Sequence, residues 1–267
     1  MEQQQTWRRE LPNYKQVAPE IEDLPFQARE AINVLRGNIQ LSGANLKVIA
    51  ITSAVANEGK SSIAFRLTKS LAGLKKRTLY LDCDIRNSVT MSRYGMNGQV
   101  QGLTEYLCGA AAMNDIVYRT PDKYMDVILT GAVAPNPSEL VSGKLFTLLL
   151  DEMRKRYDYI IVDTPPINPV IDGTMIAKRC DGTVMVIESG QTDRMQAVRA
   201  KRQLEYAGIK LLGAVLNKVG AAKKGYGYGY GYGYGYGYGY GYGYGYGYGE
   251  KNQKRSGKKA DKKEAKD

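Results

Sequence analysis

Residues 48–62 read VIAITSAVANEGKSS, and few stretches leave a chain less freedom. An apolar run, 48–51, leads into small and polar residues and ends in Gly59-Lys60-Ser61-Ser62 at the start of a helical pattern. This is a strand, an anion-binding loop and a helix. Backbone amides converging on an anion need a residue without bulk, and a helix N-terminus offers free N–H groups and a favourable dipole. Gly59 meets the first need. Lys60 supplies a point charge for outer phosphates, and the Ser61 hydroxyl can enter the shell of a Mg²⁺ ion, as the Walker A pattern requires. Ala54 stands where that pattern opens on glycine, and Asn57, Glu58 and Ser62 complete the candidate nucleotide-binding loop. Lys60 is expected to be exposed, carrying charge rather than packing. The bland alternative is a Gly-containing turn, but the spacing from Ala54 to Gly59-Lys60-Ser61 between strand and helix favours a nucleotide.

With 267 residues, one α/β domain and two tails account for the chain. The expected division is an extended arm over 1–25, where Pro12, Pro19 and Pro25 interrupt polar sequence, a domain over 26–222, and a tail over 223–267. A formal charge of +11 would by itself suit nucleic acid or an anionic membrane. However, residues 251–267 alone carry eight Lys/Arg against three Asp/Glu, a run that reads as a solvated basic end, so no nucleic-acid partner is expected. Cys83, Cys108 and Cys180 are odd in number and too dispersed for a zinc site or disulfide framework. Nothing approaches the ~18 apolar residues of a membrane span, so the cytoplasm is the expected compartment and any membrane attachment would come through a partner. With no histidine in the chain, proton transfer falls to carboxylates.

Helical periodicity begins at 26–40, with Ile32, Leu35 and Ile39 on one face, and resumes at 63–74 after the loop. The segment TLYLDCDIR, 78–86, reads as a strand that delivers Asp82 and Asp84 at its C-terminal end, where open parallel sheets bind ligands. Acids spaced by one residue on a strand point the same way, so both can face a metal–phosphate centre. Short helices are expected at 103–107 and 113–118, a strand at 126–129, a loop at 135–140 and a helix at 144–156. In YDYIIVDTPP, 157–166, four hydrophobic residues end in Asp163, the Walker B arrangement. Asp172 opens or caps the next helix. Strands at 183–187 and 211–216 flank a helix at 194–207 capped by Thr192 or Asp193, and the last strand runs into Asn217. This alternation predicts an α/β protein of the P-loop NTPase type, with a mostly parallel, doubly wound sheet flanked by helices.

From 225 to 249 glycine and tyrosine alternate strictly, placing tyrosine at Tyr226, Tyr228, Tyr230, Tyr232, Tyr234, Tyr236, Tyr238, Tyr240, Tyr242, Tyr244, Tyr246 and Tyr248. Glycine at every second position makes ordering entropically costly, so a disordered tail is expected. Such repeats can also act as cohesive, self-associating segments.

The loop SAVANEGKSS, the motif LYLDCDIR with its Asp82, Asp84 and Arg86, the strand IIVDTPP and a terminal tyrosine cluster together resemble the bacterial tyrosine kinases, specifically the separate cytoplasmic kinase of Gram-positive capsule and exopolysaccharide systems. The resemblance covers about residues 28–249. It implies ATP and Mg²⁺ as cofactors, with Lys60 on the phosphates, Ser61, Asp84 and Asp163 at the metal, and Asp82 accepting the tyrosine hydroxyl proton. Asn217 resembles the adenine-contacting position of related folds. The twelve tail tyrosines become the expected phosphorylation sites. The family further implies a transmembrane activator of the polysaccharide co-polymerase type, which would hold the kinase at the inner face of the membrane, a ring-like homo-oligomer, and other protein substrates. The family's interface motif on the first helix reads here Glu30, Asn33, Arg36, with Asn33 in place of the middle arginine.

Two alternatives belong to other classes. A partition or division-positioning ATPase shares the fold and carboxylates, but it carries a signature lysine after the first small residue of the loop, where this chain has Val55. A non-enzymatic reading makes the tail a cohesive module on a nucleotide switch.

Overall fold

The computed structural model describes residues 15–96 and 100–220, all within the compact unit Met1–Ala222. The Gly/Tyr repeat, its twelve tyrosines and the basic end lie outside the described residues, as do residues 1–14.

Seven strands form one sheet: β1 (Val48–Ser53), β2 (Thr78–Asp82), β3 (Val117–Arg119), β4 (Met125–Ile128), β5 (Tyr159–Asp163), β6 (Gly182–Glu188) and β7 (Leu211–Asn217). Their order is β3-β4-β2-β5-β1-β6-β7, and every neighbouring pair is parallel except β3 with β4. The sheet is thus α/β, mostly parallel and doubly wound. Strands β1 and β2 are buried at every position, as expected where helices cover both faces.

The pleat sorts the core. Ile49, Ile51, Tyr80 and Ile161 point to one face, where they meet Phe65, Leu67 and Leu71 of α2 (Lys60–Ala72) and Ile32 and Ile39 of α1 (Phe26–Leu41). Val48, Leu79, Leu81, Ile160 and Val162 point to the other. Short helices α3 (Thr90–Arg93), α4 (Leu103–Leu107) and α5 (Pro137–Ser142) precede the longer α6 (Lys144–Arg156), whose Phe146, Leu149, Leu150 and Met153 cover that second face. Ala177 of α7 (Asp172–Ala177), with Ala200 and Leu204 of α8 (Arg194–Tyr206), packs over Ala50 and Met185. Asp193 caps α8 by accepting from the Met195 and Gln196 amides, whereas Thr192 faces the phosphate loop.

Two expectations fail locally. The expected helix at 113–118 is a single 3₁₀ turn, Met113–Asp115, followed by β3, because Ile116, Val117 and Tyr118 are all buried and Val117, Tyr118 and Arg119 pair as an antiparallel edge against β4. The expected loop at 135–140 holds helix α5, with Pro137 at its first turn, where the missing N–H costs nothing.

Candidate active site

The loop between β1 and α2 is shaped by two left-handed residues, Asn57 (φ 67°) and Gly59 (φ 93°). Asparagine tolerates that region better than most side chains. At Gly59 a side chain is excluded twice, because a Cβ there would also collide with Asn217 Nδ2. That amide donates to the Glu58 carbonyl at 2.9 Å and ties the end of β7 to the loop. Gly59→Ala should therefore break the tie and misalign the loop amides, weakening Mg²⁺·ADP binding by about tenfold or more. Titration with a fluorescent ADP analogue checks this, and Asn217→Ala in the same background should recover part of the loss.

Glu58 does not face the ligand space. Its carboxylate is 1% exposed and accepts from the Val55 amide at 2.8 Å, the Glu188 amide at 3.3 Å and the Thr192 hydroxyl, clamping the loop to the end of β6. Ala54, fully buried, packs beneath the loop. Asn57, Gly59, Lys60, Ser61, Ser62 and Asn217 line a cleft of about 580 Å³ at the C-terminal ends of the central strands.

Lys60 is buried, at 8% exposure, contrary to the expectation of an exposed loop lysine. Folding back over the helix start, its ammonium meets Asp84 at 2.7 Å and Asp163 at 3.8 Å. Burial alone would push the Lys60 pKa down, but Asp163 and Asp84 outweigh it and hold the value above that of a free lysine.

Strand register builds the carboxylate cluster. Asp82 and Asp163 end neighbouring strands as direct partners. Asp84 lies past the end of β2, so the two acids of the DxD motif separate in role. Asp84 lines the cleft with Lys60, while Asp82 is fully buried, accepting from the Ser88 hydroxyl at 2.6 Å and the Asp84 amide at 3.1 Å. Burial and then the neighbouring Asp163 raise the Asp82 pKa to about 7. Asp163 is also raised by burial, against the pull of Lys60. Tyr80 donates to Asp163 Oδ2 at 3.0 Å, whereas Oδ1, 3.8 Å from the Lys60 ammonium, is buried with no hydrogen-bond partner among the described residues.

That orphaned oxygen tests the fit of a divalent cation. Asp163, raised by burial, stands with Asp84 beside the Ser61 hydroxyl at the helix start, an all-oxygen donor set of the kind a hard divalent cation takes. Among the described residues no cluster of three or more acidic or sulfur side chains forms a cage. Mg²⁺ requires none, since it commonly takes one or two carboxylates, a hydroxyl, waters and substrate phosphates. The residues fit Mg²⁺.

Local sequence reading left several partners unassigned. Ser88 and Thr90 surround Asp82 and Tyr80, and Arg66, Arg86 and Arg93 add positive charge to the cleft. Arg86 was visible in its motif, but Asp172, which holds it, looked like a helix cap. Glu30 and Arg36 are set apart from the cleft on α1. Arg36 donates within the chain to the Ser70 carbonyl at 3.1 Å and hydroxyl at 2.8 Å, and Asn33 links Glu30 with Ser70.

A family model described as AAA domain matches residues 46–193, the segment from β1 to the cap of α8. Tyrosine-protein kinase CpsD of Streptococcus agalactiae is 41% identical over 201 residues, covering 75% of this chain and 88% of the relative. The kinase domain of the Escherichia coli tyrosine kinase ETK superposes with a TM-score of 0.69 at 29% identity, over 79% of this chain and 87% of that one. The septum site-determining protein MinD from Pyrococcus horikoshii, complexed with Mg-ADP, reaches a TM-score of 0.57 at 20% identity and shares the fold alone. Tyrosine kinases thus match more closely than positioning ATPases, in line with Val55 at the signature-lysine position. A nucleotide-binding P-loop fold whose buried lysine stands between Asp163 at the end of β5 and Asp84 just past the end of β2, matched along most of its length by tyrosine kinases, places this chain in the bacterial protein-tyrosine kinase family.

Proposed function

We propose that this kinase phosphorylates the tyrosines of its own tail from ATP and thereby regulates capsule or exopolysaccharide synthesis or export. The observation that carries the reading is the Lys60 ammonium between Asp84 and Asp163 at the start of α2. A nucleotide's outer phosphates would draw Lys60 off those carboxylates. Ser61, Asp84 and Asp163 would then hold Mg²⁺, which neutralises charge on the phosphates. Asp82, with its pKa near 7, is poised to take the proton of the tyrosine hydroxyl, and the Ser88 hydroxyl now occupies the place from which that donation would come.

The tail is the favoured substrate because the domain offers few alternatives. Of the eight described tyrosines, Tyr80, Tyr94, Tyr106, Tyr118 and Tyr157 are buried, Tyr124 and Tyr159 are half-buried, and Tyr206 alone is widely exposed, at 97%. A Gly-rich stretch of about 25 residues has a root-mean-square span of about 25 to 30 Å, enough to reach the cleft of a neighbouring copy. Each phosphotyrosine adds about −1.5 to −2 charges, so six or seven would offset the chain's formal +11. Crowded phosphates would repel one another and loosen a ring. Among the described residues no helix is long and apolar enough to cross a membrane, so a transmembrane activator would supply attachment to the inner face.

Incubating the purified chain with ATP and Mg²⁺ should yield phosphotyrosine in the segment 226–248. Replacing its twelve tyrosines with phenylalanine should remove nearly all labelling and fix the oligomer in its unphosphorylated size, with ADP affinity unchanged. Label found chiefly on Tyr206 or other domain tyrosines would overturn the tail as substrate.

A further inference from the structure

Arg86 ends the DxDxR motif, and nothing in the reading above uses it. Its side chain reaches across to α7. The guanidinium donates through Nε to Asp172 Oδ2, through Nη2 to Asp172 Oδ1 at 3.3 Å, and through Nη2 to the Ser138 hydroxyl at 3.2 Å. Ser138 in turn donates to Asp172 Oδ1. The Asp172 side chain is wholly buried, while Arg86 keeps 40% of its side chain exposed on the wall of the cleft shared with Lys60, Ser61 and Asp84.

A fully buried carboxylate is costly unless paired, and Asp172 is paired by a two-point fork that fixes the plane of the guanidinium. The fork engages one edge. Among the described residues the Nη1 amino group, with two N–H donors, has no hydrogen-bond partner, and it belongs to a cleft-lining residue. A planar cation held from behind, with an unused donor edge, is suited to a phosphate oxygen. Backbone geometry fixes the approach, since Asp84 closes a turn by accepting from the Asn87 amide at 3.1 Å, and Arg86 sits inside it.

We propose that Arg86 is a catalytic residue whose Nη1 edge contacts the transferred phosphoryl group, and that Asp172 and Ser138 are positioning residues which aim it. The proposal rests on the kinase reading and deepens it. In the transfer the bond from the γ-phosphorus to the β-phosphate oxygen breaks as a bond to the tyrosine oxygen forms, and the hydroxyl proton passes to Asp82. ADP leaves with the bonding electron pair. Negative charge spread over the equatorial oxygens at that moment is met by Lys60 on one side and Arg86 on another, with no reorganisation needed because Asp172 has already fixed the fork.

The test separates a phosphoryl contact from a structural staple. For full-length Arg86→Ala and Arg86→Lys, affinity for Mg²⁺·ADP, for Mg²⁺·ADP with aluminium fluoride, and the rate of phosphotyrosine formation are measured together. Affinity for ADP should stay within about threefold of the parent, while affinity for the aluminium fluoride complex and the transfer rate should each fall at least tenfold in Arg86→Ala. Lysine should restore little, and added guanidinium should restore part of the Arg86→Ala rate. Asp172→Asn and Ser138→Ala should lower kcat with KM for ATP nearly unchanged. Equal losses for ADP and for the aluminium fluoride complex, or no loss for either, would overturn the proposal. Its failure differs from failure of the kinase reading, in which the parent itself forms no phosphotyrosine, and the two affinities remain measurable in that case.

Discussion

Lys60→Met should cut phosphotyrosine formation by at least about a hundredfold, because removing a preorganised charge from a transfer site costs that much or more. Since the side chain is buried against Asp84 and Asp163, the substitution also leaves two carboxylates without their cation. Breaking a buried pair from one side costs about 3 to 5 kcal/mol. Asp163, already raised by burial, loses the cation that opposed that shift, so it holds its proton more strongly in the folded chain and the variant's stability relative to the parent declines as pH rises above the free-carboxylate value of about 4. Circular dichroism melts across that range check the effect, and labelling must be measured at a pH and temperature where the variant remains folded. A folded Lys60→Met protein that labels like the parent would end the kinase assignment for this site.

Asp82→Asn should divide stability from activity in the opposite sense. In the folded chain the Asp82 pKa is raised from 3.8 to about 7, so the folded state retains a proton that the unfolded chain releases near pH 4. The contribution of Asp82 is therefore neutral below about pH 4, is lost progressively as pH climbs to about 7, and stays lost above. Asparagine carries no charge and escapes that loss. Above pH 7 the variant should melt higher than the parent, by on the order of 2 kcal/mol after the weakened bonds from Ser88 and the Asp84 amide are discounted, and the gap should close toward pH 4. Transfer should fall by about 10² to 10⁴ as proton acceptance is removed, with Mg²⁺·ADP affinity nearly unchanged. In the parent, the rate should rise with pH through about 7 as Asp82 ionises. An Asp82→Asn protein with parental transfer would move proton acceptance to another carboxylate, and Asp84 at the cleft wall is the nearest candidate.

Both effects depend on a cluster that was only partly legible in the chain. Apolar runs ending in Asp82 and Asp163 mark strand ends, and Gly59-Lys60-Ser61 before a helical pattern marks an anion site, because these features arise within a few residues of one another. The same locality misled the reading of 113–118, where a short apolar stretch becomes a strand only because β4 lies beside it. It also concealed helix α5, whose six residues offer too short a period to recognise.

The sequence by itself determined the strand–loop–helix, the acids at the ends of two strands, the alternation that yields a parallel sheet, and the repeat of twelve tyrosines. The first three are fixed by backbone preference and side-chain period over short distances. Only the tertiary structure decided that β2 lies beside β5, which puts Asp82 against Asp163, and that Lys60 is drawn inward between Asp84 and Asp163. It likewise turned Glu58 away from the ligand, Arg36 toward Ser70, and Arg86 toward Asp172, 86 residues away. Such pairings follow from strand order and from the cost of burying a charge without a partner, and neither is written in the spacing of neighbouring residues.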